Sequence, residues 1–224
     1  MPEVQRHGFS WEKDLLHNVY GVTPEEIKTI KYTEKNDIPR HLNRLTNAHL
    51  SVKTSGTPNA VCMADCLRVF DSVSSGEPYH LVVVHYKQND ETNTKRLVAI
   101  NEIDLTNSKE MLFGSLTREQ IVSLRDAVRE VPQKRSPNPD EYAKMYGIRN
   151  TLQPLSKAMH LDIKCNSQQS RLQCSFNHFQ AFLEEHPERI LTKSTSAEFR
   201  GKRIQEEIPS GRRVFARRAA AVEQ

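Results

Sequence analysis

The chain has 224 residues and a formal net charge of +4, with 37% hydrophobic and 27% charged residues. This composition is typical of a globular protein, and the length suits one domain over residues 1–224 with a substantial core. No apolar run approaches the roughly 18 residues of a membrane span, so we expect no membrane partner. Residues 1–13 lack the apolar core of a secretory signal, which predicts a cytoplasmic protein.

Helical and extended patterns alternate along the first half of the chain. Trp11 and Leu15 recur at helical spacing, and the run from Thr23 to Glu26 has the N-cap, proline and glutamate that open a helix. Residues 49–54 alternate between apolar and polar side chains, as a half-buried strand does. The predicted elements are helices over 10–20, from Thr23 and over 60–73, and strands over 28–33, 49–54, 79–87 and 96–105. Residues 63–70 could also form a strand.

The second half begins with a helix from Thr117 to Val131, for which Gln120 completes a capping box. Further on, a polar connection between two extended runs predicts a β-hairpin. From Arg189 to Gln224 there are nine Lys or Arg residues against four Glu, and such a basic tail suits a polyanion. The predicted elements after the first helix are a loop over 132–139, helices over 141–146 and 152–160, hairpin strands over 160–165 and 171–176, and a helix over 179–185 capped by Asn177.

The stretch from Asn36 to Arg68 carries the residues that predict chemistry. Asp37 precedes the strand that contains Lys53, and Asp65 follows in a segment with helical spacing. Carboxylates are the ligands that Mg²⁺ prefers, and a lysine can stabilise charge that develops on a phosphate. The combination predicts a site for phosphate chemistry.

This order of elements and residues resembles the PD-(D/E)XK nuclease superfamily, and within it the Type II restriction endonucleases. The resemblance covers roughly residues 8–105. Ser51-Val52-Lys53 stands where the family has D/E-x-K, so the second acid of the motif is missing. In one branch of these endonucleases that acid comes from the following helix, and Asp65, twelve residues after Lys53, matches this arrangement. Glu12 matches the position of an auxiliary glutamate.

The resemblance implies a mixed α/β (α+β) fold with helices on both faces of a mixed sheet, and a nuclease core over about 8–131. It implies hydrolysis of double-stranded DNA at a short specific sequence with one or two Mg²⁺ ions per active site. Asp37 and Asp65 would bind the metal, and Lys53 and Glu12 would complete the catalytic set. A palindromic target cut on both strands implies a homodimer.

Residues 132–224 are then expected to serve DNA recognition and dimerisation. The predicted hairpin is rich in hydrogen-bond donors, and Arg and Gln are side chains that contact guanine and adenine edges in the major groove. A two-stranded β-ribbon can enter that groove. The expected DNA contacts are Lys164, Asn166, Gln168, Gln169, Arg171 and Gln173.

Other interpretations stay open at this point. The catalytic lysine could be Lys87, in His85-Tyr86-Lys87, or Lys164, in Asp162-Ile163-Lys164, which matches D-x-K literally. Acids upstream of Lys164 are Asp140 and Glu141. The chain could also be a non-catalytic DNA-binding protein, or a nuclease of DNA repair or RNA processing.

Overall fold

A five-stranded mixed sheet forms the centre of the computed structural model, which describes residues 8–30, 36–132 and 135–210. Helices pack on both faces of this sheet, so the fold is mixed α/β as expected. A π-helical turn, Leu15–Val19, continues the first helix. The helices are α1 Gly8–Asp14, α2 Pro24–Thr29, α3 Cys66–Ser74, α4 Lys109–Phe113, α5 Arg118–Arg129, α6 Pro139–Leu152 and α7 Phe179–Glu185. The strands are β1 His49–Ser55, β2 Ala60–Asp65, β3 Tyr79–Asn89, β4 Thr94–Asp104, β5 Met159–Asn166, β6 Gln169–Asn177, β7 Ile190–Ser194, β8 Glu198–Phe199, β9 Lys202–Arg203 and β10 Glu207–Pro209.

The central sheet combines one parallel pair with antiparallel neighbours. β1 lies parallel to β3 with His49 opposite Tyr79 and Lys53 opposite Val83. β4 is antiparallel to β3, and its other edge pairs with β10 and β7. The parallel pair needs a long crossover, which β2 and α3 provide.

Two hydrophobic clusters cover the two faces of this sheet. Because successive side chains of a strand point to opposite faces, Leu81 and Val83 enter one cluster while Val82 and Val84 enter the other. Helices α3 and α5 and the second sheet pack in the first cluster. Trp11 of α1 and Phe199 of β8 pack in the second cluster. Residues after 132 therefore contribute to both cores.

A second sheet, in the order β2-β6-β5, is antiparallel throughout. The outer edge of β5 is covered at its start, because Gln153 bonds both Met159 O and Leu161 N, and Arg149 donates to Leu161 O. A bulge in β2 places Ala64 at a φ of 71°, and β2 ends at Asp65. This sheet contains the predicted hairpin.

The strong patterns in the sequence are confirmed by the structure. The first helix, the capping boxes of Thr23 and Thr117, strands β1, β3 and β4, and helix α7 all lie where expected. The hairpin is also confirmed, and its loop is only Ser167 and Gln168, shorter than the expected connection.

Several boundaries are wrong. Residues 60–65 form strand β2 rather than the start of a helix, because they pair with β6. Lys28 and Thr29 are helical rather than extended, and residues 31–33 lie outside the described residues. α6 is one helix over 139–152, and the helix expected over 152–160 is replaced by a 3-10 turn and the start of β5. His178, not Asn177, occupies the N-cap of α7, and α4 was not expected.

The described part of the C-terminal basic segment contributes strands to the fold. Residues 190–210 form β7 to β10, whereas Arg212, Arg213, Arg217 and Arg218 lie outside the described residues. Among the helices of the described ranges, none combines the length and the apolar character needed to cross a bilayer.

Candidate active site

The segment that contains Asp37 lies beside the edge of β1. Ile38 forms an isolated antiparallel bridge with Leu50, in which each N–H donates to the other residue's carbonyl at 3.0 Å. Ile38 is fully buried and anchors the segment in the second cluster. The bridge therefore fixes Asp37 next to the β1 residues that follow Leu50.

Asp37 and Lys53 form a direct ion pair. Asp37 Oδ2 accepts a hydrogen bond from Lys53 Nζ at 3.0 Å and another from the backbone N–H of Val52 at 2.6 Å. Lys53 Nζ also donates to Val52 O at 3.0 Å. The side chains are 20% exposed for Lys53 and 28% for Asp37, so the pair is partly buried and still reached by solvent.

Asp37 keeps Lys53 in its charged form. Burial by itself would lower the pKa of the Lys53 ammonium, but the charge of Asp37 and its hydrogen bond outweigh burial and raise that pKa. Lys53 is therefore a permanent cation at neutral pH. It can stabilise negative charge, but it cannot act as a proton acceptor.

Glu12, from α1, belongs to the same electrostatic group. Burial and the neighbouring charge of Asp37 raise the pKa of its carboxyl to about 7, although Lys53 acts in the opposite direction. The position of Glu12 follows from its neighbour Trp11, which is fully buried in the second cluster together with β1 residues Leu50 and Val52. The structure thus brings together three of the expected residues, Glu12, Asp37 and Lys53.

Ser51 occupies the place of the missing acid and is buried beside Tyr79. Burial raises the pKa of the Tyr79 phenol, while Lys53 and Ser51 oppose the shift. Tyr79 is an addition to the expected site. Because β1 and β3 are parallel, the side chains of His49, Ser51 and Lys53 lie on the same face of the sheet as that of Tyr79. The sequence alone did not show that β3 is the strand that pairs with β1.

Asp65 is engaged in the local structure of its own helix. It is the last residue of β2 and the N-cap of α3, where its carboxylate accepts from Arg68 N at 2.9 Å. It lines a cleft with Arg68, Asp71 and Arg125. The position is typical of a helix cap, and Glu12 is the second carboxylate near Asp37 instead.

The donor atoms near Lys53 fit a hard divalent cation. Within the described residues, no group of three or more His, Cys, Asp or Glu residues is arranged to bind a metal. However, Mg²⁺ in phosphoryl-transfer sites commonly uses one or two carboxylates together with water and phosphate oxygens. In the described part of the chain, Asp37 Oδ1 and the Glu12 carboxylate accept no hydrogen bond, so oxygen atoms of both carboxylates are available.

The alternative lysines have no comparable surroundings. Lys87 is exposed on β3, and its neighbour His85 is buried against the Phe179 ring. Near Lys164, Asp162 accepts from Ser175 Oγ and bonds His160 Nδ1 at 2.9 Å. Among the upstream acids, Glu141 is paired with Arg135, which contributes to lowering its pKa to about 2. These carboxylates are engaged in structural contacts.

The residues expected to contact DNA differ in their accessibility. Lys164, Asn166, Gln168 and Arg171 are exposed, and Gln169 is half-buried. Asn166 Oδ1 already accepts from the backbone N–H groups of Gln168 and Gln169, which leaves only its amide NH₂ for a ligand. Gln173 is 7% exposed, so little of its side chain is accessible to a base.

Comparisons with known proteins give no match for this chain among protein-family models, curated proteins or solved structures.

Proposed function

We propose that the chain is a Mg²⁺-dependent endonuclease that hydrolyses phosphodiester bonds of double-stranded DNA at a short specific sequence, acting as a homodimer. The observation that supports this function is the convergence of Glu12, Asp37 and Lys53. Two carboxylates beside a permanently charged lysine provide the groups that phosphodiester hydrolysis needs. Asp65, in its N-cap position, is left out of the catalytic set.

Asp37 has two roles in this proposal. Its Oδ2 atom orients Lys53 through the 3.0 Å hydrogen bond and is itself fixed by Val52 N. Its Oδ1 atom and the Glu12 carboxylate would hold Mg²⁺. The chemistry supplied by bound Mg²⁺ is polarisation of the phosphate and a lower pKa for the attacking water. The hydrogen bond from Val52 N holds the Asp37 carboxylate in one orientation, which would suit it to bind Mg²⁺ and orient Lys53.

Lys53 would donate hydrogen bonds to a phosphate oxygen as its negative charge increases in the transition state. Because its ammonium is already oriented by Asp37 and Val52 O, little reorganisation is needed when the phosphate arrives. Glu12 lies beside this permanent cation. Its carboxyl has a pKa of about 7 in the absence of metal, and a divalent cation held by Glu12 and Asp37 would favour the ionised carboxylate.

The test is cleavage of plasmid DNA with and without Mg²⁺. We expect discrete fragments that require Mg²⁺, and at least about a 100-fold loss of rate in Lys53→Ala, the size typical for loss of one preorganised donor. Lys87→Ala is the matched control, because Lys87 is an exposed lysine on the neighbouring strand. Thermal unfolding of each variant separates catalytic loss from unfolding.

The outcomes distinguish the alternative functions. Normal cleavage by Lys53→Ala would contradict the proposed site, and loss of cleavage in Lys87→Ala would move it to β3. If the wild type binds duplex DNA in a salt-dependent manner without cutting it, the chain is a DNA-binding protein. Preference for branched, damaged or RNA substrates would indicate a nuclease of repair or RNA processing.

A further inference from the structure

The β5–β6 hairpin holds two like charges directly opposite each other. Lys164 and Arg171 are cross-strand partners, and both are exposed. Leu172 and Cys174 of β6 point into the first cluster, so alternation directs Arg171 away from the core. Like charges in direct opposition destabilise an antiparallel pair. The repulsion between Lys164 and Arg171 therefore destabilises the hairpin, and the fold of the hairpin does not depend on either charge.

Two acids of β5 and the neighbouring helix α6 are already engaged. Asp162, two residues before Lys164, is bonded to His160 and Ser175. Glu141 is paired with Arg135 at 2.6 Å. Within the ranges that the structure describes, neither Lys164 nor Arg171 forms an ion pair. The positive charge at the hairpin is thus left without an internal partner.

A second like-charge pair in the protein provides an internal comparison. Lys87 and Arg96 are cross-strand partners in β3 and β4. There, however, Arg96 forms two hydrogen bonds to Glu206 Oε1, at 2.9 and 3.2 Å. The fold compensates the charge of that pair, but it does not compensate the charge of Lys164 and Arg171.

The hairpin is also held in one conformation. Asn166 closes the turn through its two hydrogen bonds to backbone N–H groups, and Ser170 Oγ donates to Val131 O at 2.9 Å. At the start of β5, over residues 159–161, Gln153 and Arg149 occupy the outer edge of the strand, so addition of another strand is blocked there. A partner can meet the charges on the exposed face of the hairpin.

A cleft with three arginines adjoins the same sheet. Gln173, two residues after Arg171, is the cross-strand partner of Asp65, which lines the cleft of about 320 Å³. Arg129, at the end of α5, is exposed, and the contact of Ser170 with Val131 holds that end of the helix beside β6. The cleft is lined by Asp65, Leu67, Arg68, Asp71, Arg125 and Arg129.

We propose that Lys164 and Arg171 contact the phosphate backbone of nucleic acid rather than its bases. A phosphate placed between the two cations removes their repulsion, and the contact carries no sequence information. This inference rests on the proposed function in one respect, which is that duplex DNA is taken as the partner. It revises the expectation that this hairpin reads base edges.

The variant Arg171→Glu separates function from structure because its two effects have opposite signs. Fluorescence anisotropy with a labelled DNA duplex, without Mg²⁺ and at several salt concentrations, should show at least tenfold weaker binding and a smaller salt dependence. The same variant pairs Glu with Lys164, so its Tm should rise by about 1–4 °C. Arg96→Gln, which alters the compensated pair, is the control, and its DNA affinity should equal that of the wild type.

Unchanged affinity of Arg171→Glu, or a lower Tm, would overturn the inference. If Arg171 contacted bases, Arg171→Glu would lose affinity for one DNA sequence only, whereas we expect an equal loss of affinity for unrelated duplexes. If poly-glutamate binds in place of DNA and depends on Arg171, the partner is an acidic protein and the inference is wrong. Because these measurements need no cleavage, absence of nuclease activity would contradict the proposed function and leave this inference standing.

Discussion

The indole Nε1 of Trp11 donates a hydrogen bond to the backbone carbonyl of Gln205 at 2.8 Å, joining residues 194 positions apart. The backbone N–H of the same Gln205 donates to Asp14 Oδ2 at 2.7 Å. These two bonds flank Glu12 on α1. The C-terminal segment therefore holds in place the helix that carries one of the site's two carboxylates.

This contact predicts a loss of stability in Trp11→Phe. Phenylalanine keeps an aromatic ring but leaves the Gln205 carbonyl without its donor, which should lower the free energy of unfolding by about 1–3 kcal/mol. Because Trp11 is fully buried, the missing ring volume adds to this loss. Denaturation in urea measures the effect. A variant as stable as the wild type would show that the bond is replaced by water.

Asp37→Asn tests the ion pair with Lys53. The substitution keeps the hydrogen-bonding shape but removes the charge that raises the pKa of Lys53. Removing one partner of a fully buried pair costs about 3–5 kcal/mol, and partial exposure of both side chains reduces our expectation to about 1–3 kcal/mol. Urea denaturation at neutral pH provides the measurement.

The exposed pair of Arg96 and Glu206 provides the control for Asp37→Asn. Its side chains are 69% and 56% exposed, so Arg96→Met should change stability by less than about 1 kcal/mol. Equal losses in the two variants would mean that the Asp37–Lys53 pair gains nothing from its partly buried position.

Glu12 predicts a specific dependence of stability on pH. Its folded-state pKa of about 7 lies above its ordinary value of 4.5, so the folded protein binds this proton more tightly than the unfolded chain does. The resulting stabilisation is complete below pH 4.5 and is lost as the pH rises through about 7. Glu12→Gln has no proton to lose, so its Tm relative to the wild type should increase between pH 5 and pH 8. A constant difference would contradict the raised pKa.

The sequence was sufficient to predict an element where its local pattern and the burial of its side chains indicate the same secondary structure. The capping boxes at Thr23 and Thr117 satisfy free backbone groups locally, and β1 and β3 have the patterns of a half-buried and a buried strand. Asp37 and Lys53 were likewise expected to share a site. Residues 60–65 were assigned to a helix because they carry apolar side chains at both helical and strand spacing. Pairing with β6, more than a hundred positions away, decides for the strand.

The contribution of the C-terminal segment could not be derived from local sequence. Arg200 looked like one more charge in a basic tail, but its Nε donates to Glu102 Oε2 at 2.5 Å. Glu102 is fully buried, and His80 Nδ1 lies 3.1 Å from its other oxygen. A buried carboxylate has to be paired, and its partner is supplied from a position 98 residues away.

Arg200→Met should consequently be the most destabilising of these substitutions. Burial acts to raise the pKa of Glu102, but the hydrogen bonds from His80 and Arg200 overcome it and lower that pKa. Loss of Arg200 leaves a buried carboxylate with His80 alone, at an expected cost of about 3–5 kcal/mol in the free energy of unfolding at pH 8.

The cost of Arg200→Met should shrink below pH 4.5, because protonation of Glu102 removes the charge that Arg200 compensates. In the wild type the lowered pKa of Glu102 gives stabilisation that is present above pH 4.5 and is lost as the pH falls below that value. Urea denaturation of both proteins at pH 4 and pH 8 measures the difference. Arg203→Met is the control, since Arg203 is exposed in the adjacent strand β9. If the two variants lose equal stability at both pH values, the Arg200–Glu102 pair does not hold the C-terminal segment on the sheet.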